Sequence, residues 1–489
     1  MKYQGFFIKS NALKNQKANH VLSLFVVRRG IVLRQRANDV ATIVRDSSEV
    51  HIVTHIDADG ITAGAIASET LRRLGKEYSI ECIKQLDEVI IGKLLNENHE
   101  LVWFTDLGSG MSTQYPELKK IITDHHECPP GSDAVFHFNP HLFGHDGSYE
   151  LSGAGATYFV SRALSKKNMD LSALAVVGAV GDLQDRRFCE LRGLNGEIVK
   201  DGLEAGVLRT MKDIRYFGKE TRPLAKLLQY ATDPLIPGMS GREDACVAFL
   251  QELQIELKEK DVWRTWVDLR KEEKRRVISA ILQLLLSKGF GYQVAERVLG
   301  ESYLLSKEAE GTVLHDAKEY ATLLNSTARY GQYEVGLQVC LGDRENWFKE
   351  ALNLLSGHRQ NLVEGLQFAR EEKIQKRTYV QFFHAGDGIR DTIIGIVTNM
   401  MLNTEEVDKT LPLIGFAHTE NGEVKVSARA TQNLVDRGLD LATALTRAAK
   451  ELNGIGGGHN IAAGATIPKG KEEEFLQVVE REIKLQLVS

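Results

Sequence analysis

Carboxylates and imidazoles recur in this sequence in short polar clusters: Thr54-His55-Ile56-Asp57-Ala58-Asp59-Gly60, then Asp106-Leu107-Gly108, then Asp124-His125-His126, and later Gly181-Asp182. Each stands where a strand-like or apolar run stops. If Asp57, Asp59, Asp106 and Asp182 share one crevice they cannot all stay ionised, because like carboxylates at short range raise one another's pKa. Metal cations resolve that conflict. Mixed carboxylate and imidazole ligation suits Mn²⁺ or Mg²⁺ better than thiolate-seeking ions, and two cations about 3.5–4 Å apart are a general device for in-line displacement at phosphorus. The chemistry expected is metal-assisted phosphoester hydrolysis. Any one of these aspartates alone reads as a helix cap or turn residue. The ordered set is what points to a site. His99, His137, His141 and His145 are expected to be ordinary surface or core residues.

Bringing such groups together needs a scaffold that ends several chain segments at one edge. Apolar periodicity predicts a helix over 36–46, a strand over 49–54, a helix over 63–74, a strand over 78–83, a helix over 89–95, a strand over 101–105, a helix near 115–119 and a strand over 120–123. This alternation predicts a doubly wound α/β lobe with a parallel sheet. Ligands bind such sheets outside the carboxyl ends of the strands, where the polar clusters fall. The apolar run 174–181 delivers Asp182 in the same manner.

From about 206 to 308 the sequence becomes helix-forming and charge-rich, which predicts a helical insertion whose charge runs are solvated faces. The domain plan is an extension over 1–34, the first lobe over 35–205, the insertion over 206–308, a return to the first lobe over 309–350, a connector helix over 351–377 and a smaller α/β lobe over 378–489. Within the last, 379–383, 413–417 and 424–427 read as strands, and the glycine-dense 454–459 as a tight turn or a phosphate cradle.

The chain has 489 residues, with Lys+Arg 61 against Asp+Glu 66 and a formal net charge of -5. A wholly basic nucleic-acid coat is thereby excluded, and any nucleic-acid binding must be local. Cys82, Cys128, Cys189, Cys246 and Cys340 are scattered without a CxxC pair, which points to a reducing compartment and away from structural zinc. The apolar stretch 21–27 is too short to span a bilayer. A cytoplasmic protein with no membrane partner is expected.

The ordered motifs His55-Ile56-Asp57-Ala58-Asp59-Gly60, Asp106-Leu107-Gly108, Asp124-His125-His126, and Ser152-Gly153-Ala154-Gly155 followed by Gly181-Asp182 resemble those of the DHH phosphoesterase superfamily. Gly454 to Gly464 resembles the glycine-histidine motif of its DHH-associated C-terminal domain, and Asn325-Ser326-Thr327-Ala328-Arg329 is similar to a RecJ motif that usually carries glycine at the position of Ala328. With the insertion, the chain resembles the archaeal RecJ-like type, the GINS-associated nuclease. That resemblance implies a two-lobed fold and two Mn²⁺, with Mg²⁺ as substitute. His55, Asp57 and Asp106 would hold one ion; Asp59, Asp106, His125 and Asp182 would hold the other. His126 would face the scissile phosphate, and Asp124 would orient the histidines. Substrate would be gripped by Arg329, Arg390, Ser427, Arg429, Gly456, Gly457, Gly458 and His459.

The activity implied is a Mn²⁺-dependent exonuclease on single-stranded DNA, with RNA as a further substrate. It would run 5′ to 3′, release mononucleotides, and serve DNA replication or repair. An oligonucleotide or cyclic-dinucleotide phosphodiesterase is the first alternative; its relatives usually lack a large helical insertion. A structural component of a replicative helicase, bound to GINS and MCM, is the second; such relatives carry decayed metal motifs, whereas these are intact.

Overall fold

The structure is a computed structural model that describes residues 32–404 and 406–488, so most of the 1–34 extension lies outside the described residues. The chain forms two compact units that divide between Ala351 and Leu352. Among the described residues no helix is long and apolar enough to cross a membrane.

The first unit opens with helix α1 (32–46) and continues through β1 (Glu49–His55), α2 (Ala58–Leu74), β2 (Glu77–Ile83), α3 (Glu88–Glu97), β3 (Val102–Thr105), β4 (Lys120–Thr123) and β5 (His137–Phe138). The five strands pair in the order β2-β1-β3-β4-β5, all parallel. Val53, Val102, Phe104 and Ile122 bury one face against Ile91 and Leu94 of α3. Thr54 pairs with Thr105, and Thr105 with Thr123. That register makes β1, β3 and β4 finish level. His55, Asp106 and Asp124 therefore emerge side by side from adjacent strands, whose spacing is about 4.8 Å.

The helix expected at 115–119 is absent. A single 3₁₀ turn at Ser109–Met111 is followed by turns, and Tyr115 has φ +51°. Pro116 disfavours the α region for Tyr115, the first residue of the expected helix. The apolar run before Asp182 is helix α5 (Ser172–Gly181), which with α4 (Gly153–Leu164) packs on α2.

After α6 (Gly193–Glu204), the insertion is framed by β6 (Leu208–Ile214) and β9 (Leu299–Leu305), an antiparallel ribbon that the helical reading of the segment did not anticipate. Between them lie α7 (Leu224–Gln229), α8 (Glu243–Glu252), the hairpin β7 (Lys258–Glu259) and β8 (Val262–Trp263), α9 (Lys271–Ser287) and α10 (Tyr292–Glu296), around a core that includes Leu227, Leu250, Trp266, Val277 and Ile281. The chain then returns through α11 (Ala317–Arg329) and α12 (Tyr333–Cys340), both against α2. Helix α13 (Asn346–Glu371) carries the division between the units.

The second unit contains β10 (Gln375–Lys376), β11 (Gln381–His384), α14 (Ile394–Leu402), β12 (Leu413–His418), β13 (Glu423–Arg429), α15 (Gln432–Asp436), α16 (Leu441–Glu451), β14 (Ile455–Gly458), β15 (Ala462–Pro468) and α17 (Glu472–Val488). Its sheet runs β10-β11-β12-β13-β15-β14, with only β11 and β12 parallel. Leu445, Ala448, Phe475 and Val479 from α16 and α17 pack on Val424, Val426 and Ile467, while Ile394, Val397 and Met401 of α14 pack on Phe383 and Leu413. The glycine run is mostly an edge strand rather than a tight turn. A Cβ on Gly456 would lie 2.8 Å from the Leu445 carbonyl oxygen, and Gly458 has φ +135°, whereas Gly457 faces open space.

Helix α11 is tied to the start of the insertion by Glu319, whose carboxylate accepts from the Glu220 backbone N–H at 2.7 Å and the Thr221 hydroxyl at 2.6 Å. Burial, reinforced by the Asp316 charge, pushes Glu319 from 4.5 up to about 7. Because an acid raised in the folded state loses its stabilising protonated form as pH climbs, folding stability should fall between pH 4.5 and about 7, by at most about 1.4 kcal/mol per pH unit. Glu319→Gln should remove that slope, so urea unfolding at pH 5 and pH 8 should show the variant gaining on the native protein at the higher pH.

Candidate active site

Three strand ends and two helix starts converge at the carboxyl edge of the parallel sheet. Asp57 caps α2, accepting from Gly60 N–H through Oδ1 at 3.0 Å, which leaves Oδ2 3.1 Å from His55 Nδ1. One oxygen of Asp57 caps the helix, and the other is left facing His55. Asp59, in the first turn of α2, is fully buried, and its oxygens accept from Gly153 N–H (2.6 Å) and Ala154 N–H (3.0 Å) at the start of α4. Asp106 leaves β3 with φ +59°, an uncommon conformation for a residue with a side chain. Its Oδ2 lies 3.5 Å from His55 Nδ1 and its Oδ1 3.3 Å from His125 Nε2. His125 Nε2 is also 3.2 Å from Asp182 Oδ2 and 3.7 Å from Asp59 Oδ2.

Two donor groups result, His55–Asp57–Asp106 and Asp59–His125–Asp182, within each of which the donor atoms lie within 4.8 Å of one another. Asp106 touches both. Burial pushes Asp106 up, but His125 and His55 outweigh it and bring the carboxyl down to about 2. Burial opposes protonation of His55, yet Asp106 and Asp57 push it up to about 11. Asp59 is raised well above its ordinary value by burial and then by Asp106 and Asp182, and Asp182 is raised by burial. The positive charge that this cage calls for is the charge a divalent cation carries. Among the described residues, His55 Nδ1 and Asp106 Oδ1 are buried and make no hydrogen bond, as lone pairs reserved for an ion would be. The donor set fits a pair of hard divalent cations.

His125 is fixed through its other nitrogen. Nδ1 donates to the Gly147 carbonyl at 2.7 Å, which also accepts from Gln184 Nε2 at 2.9 Å; Asn195 in turn donates to Gln184 Oε1 at 2.6 Å. Asp124 reaches a different histidine. Its Oδ1 accepts from His126 Nδ1 at 2.8 Å and from the His125 N–H at 2.7 Å, and its Oδ2 from Ser109 N–H at 2.9 Å. The hydrogen bond to Asp124 raises the pKa of His126 despite partial burial. Asp124 thus orients the His126 ring, while a backbone carbonyl orients the His125 ring, a division of labour that side-chain types alone did not reveal. Two glycines permit the close approach: a Cβ on Gly153 would stand 2.3 Å from Asp106 Oδ1, and one on Gly178 2.3 Å from Asp59 Oδ1.

Comparison with known proteins assigns the lineage. The DHH-CID domain model matches residues 216–299 and the DHHA1 domain model residues 376–485. An uncharacterized protein of Methanocaldococcus jannaschii is 33% identical over 452 residues, covering 90% of this chain and 94% of that protein. The chain belongs to one family with that protein, and it carries the DHH-CID and DHHA1 domains. Its fold is similar to that of RecJ from Thermus thermophilus in complex with Mn²⁺ (TM-score 0.56, 18% identity, 93% of this chain and 55% of that one) and to CDC45 from Entamoeba histolytica (TM-score 0.64, 12% identity, 93% and 99%). The chain spans about half the length of that RecJ.

The remaining expected site residues of this chain fall in two places. In the first unit, Asn325 Oδ1 accepts from Ala58 N–H at 3.0 Å, and Arg329, at the end of the same helix, feels the Asp57 charge, which opposes the lowering of its pKa by burial. In the second unit, Arg429 Nη1 donates to Ser427 Oγ at 3.0 Å and to the Ala428 carbonyl at 2.8 Å, and burial lowers its pKa. A Cβ on Gly395, in the first turn of α14, would lie 2.9 Å from Arg429 Nη2, so Arg429 and Ser427 sit against that helix start. Arg390 precedes it. Gly458 pairs with Ala463, and Ala462 with Arg429, so the glycine run and His459 lie at the same end of the sheet. Gly147, Asn195 and Ser109 support the site without having carried a signal in the sequence, whereas Gln184 closes the motif 177–184.

Because Asp106 reaches both groups, Asp106→Ala should reduce Mn²⁺ binding at both positions rather than one. Isothermal titration of native and variant protein should show two sites falling to none of comparable affinity; a variant that still binds one ion with native affinity would remove Asp106 from one of the two.

Proposed function

We propose that this DHH-superfamily phosphoesterase is a Mn²⁺-dependent exonuclease that hydrolyses single-stranded DNA, with RNA as a further substrate, in the 5′ to 3′ direction to mononucleotides, and that it acts in DNA replication or repair. The observation that carries this reading is the pair of donor groups joined through Asp106. His55, Asp57 and Asp106 would hold one cation, and Asp59, Asp106, His125 and Asp182 the other. Bound there, the cations would supply a hydroxide near neutral pH and neutralise charge on the attacked phosphate. Mn²⁺ is the expected ion, with Mg²⁺ as substitute.

The chain's own groups supply the rest. His126, held through Nδ1 by Asp124 and half-exposed, would present its other ring nitrogen to a phosphate oxygen. Arg329 would hold backbone phosphate near Asp57. In the second unit Arg429, Ser427 and the first turn of α14 combine a guanidinium, a hydroxyl and helix N–H groups, a set suited to a phosphate, with Arg390, Gly456, Gly457, Gly458 and His459 as further contacts. Phosphate contacts position a strand without reading its bases, so little sequence preference is expected. GINS and MCM helicase components are the proposed protein partners; Val262, Trp263 and Tyr292, 70%, 51% and 69% exposed on the insertion, offer them apolar contact.

A Mn²⁺ time course on single-stranded DNA labelled separately at each end tests the activity. Label should leave the 5′ end first as mononucleotide, and Asp106→Ala should release none. Absence of cleavage with either Mn²⁺ or Mg²⁺ would overturn the nuclease reading in favour of a short-oligonucleotide substrate or a helicase scaffold. For the second unit, Arg429→Ala should weaken strand binding and lower the slope of log affinity against log salt by about 0.7, the value for one lost contact on a single strand.

A further inference from the structure

Beside the carboxylate cage stands a layered cluster of rings and guanidinium groups that the hydrolytic scheme does not use. Tyr149 and Phe188 meet edge to face, with ring centroids 5.6 Å apart. Arg187 lies over both, 4.6 Å from the Tyr149 centroid and 5.2 Å from that of Phe188, and Arg192 lies 4.4 Å from the Phe188 centroid. Both arginines are exposed and both rings partly so.

The cluster is built onto the site. Tyr149 is two residues beyond Gly147, whose carbonyl fixes His125, so its backbone is within about 7 Å of that carbonyl. Phe188 follows Asp182 through a run of turns that begins at Leu183, with φ +59°. Gln184, on that run, bonds Gly147 and clamps the two segments together. Arg192 is paired with Glu190 at 2.7 Å, so in a chain of net charge -5 it is chiefly Arg187 that brings positive charge beside a crowd of carboxylates.

We propose that Tyr149, Phe188, Arg187 and Arg192 form a stacking platform for an unpaired nucleobase of the strand, one or two nucleotides from the reacting phosphate. The inference rests on the single-strand reading above. Guanidinium groups placed over the rings, 4.4–5.2 Å from their centroids, leave an outer face on which a base can lie while their N–H edges can reach the flanking phosphate. A duplexed base, stacked on its own neighbours, offers no free face, so the platform favours single strands. Every base has such a face, so it does not discriminate sequence.

The test measures binding of oligothymidylates, each with one abasic residue at a stepped position, to full-length protein carrying Asp106→Ala so that strands stay intact. One or two adjacent abasic positions should weaken binding about five- to hundredfold. Adding Arg187→Lys keeps the charge but not the plane. It should shrink that penalty to within twofold and leave the salt dependence unchanged, as should Phe188→Leu if that variant melts like its parent. An abasic penalty that persists in Arg187→Lys, or one found at no position, overturns the platform while leaving the nuclease reading standing. Failure of the parent to bind any single strand overturns both.

Discussion

Carboxylates that crowd one another must be compensated by positive charge, and much of the first unit answers that demand around Asp106. Its two oxygens face different imidazoles, so the position of Asp106 fixes the relation between the two donor groups. The demand reaches outward through the fold. Asp59 survives burial because the start of α4 donates two N–H groups to it; Gly153 and Gly178 lack the Cβ that would collide with the carboxylates; and β1, β3 and β4 end level because their threonines are in register.

The same constraint explains why local structure and chemistry coincide so often here. Asp57 caps a helix with one oxygen and faces His55 with the other. Asp182 ends a buried helix and Asp106 turns the chain out of a strand. Placing each candidate ligand at an element's terminus lets rigid, buried backbone set its position, while the terminus leaves its side chain open to the crevice. A ligand in a long loop would lose conformational entropy each time an ion bound.

The second unit works on another principle. Its sheet is mainly antiparallel, and among the described residues it presents no cluster of carboxylates at the end where Arg429 and the glycine run lie. A partly buried guanidinium, a hydroxyl and a helix start are groups suited to an anion. The glycines serve mixed ends: Gly456 allows α16 to pack closely and Gly458 adopts a conformation that disfavours side chains, while Gly457 has no packing reason to be glycine.

The sequence by itself determined the alternation of strands and helices, the parallel sheet and the aspartate and histidine pairs, because hydrophobic period and polar clusters at run ends are local properties. Pro116 was legible too and disfavours helix at Tyr115, since the restriction on the preceding residue is also local. Only the tertiary structure decided which histidine Asp124 orients, that a Gly147 carbonyl holds His125, and that Tyr149 and Phe188 meet across the Gln184 clamp. Those contacts join segments far apart in the chain or use backbone groups that every residue possesses. Neither kind leaves a mark in residue type or spacing, so they exist only once the sheet edge has brought the segments together.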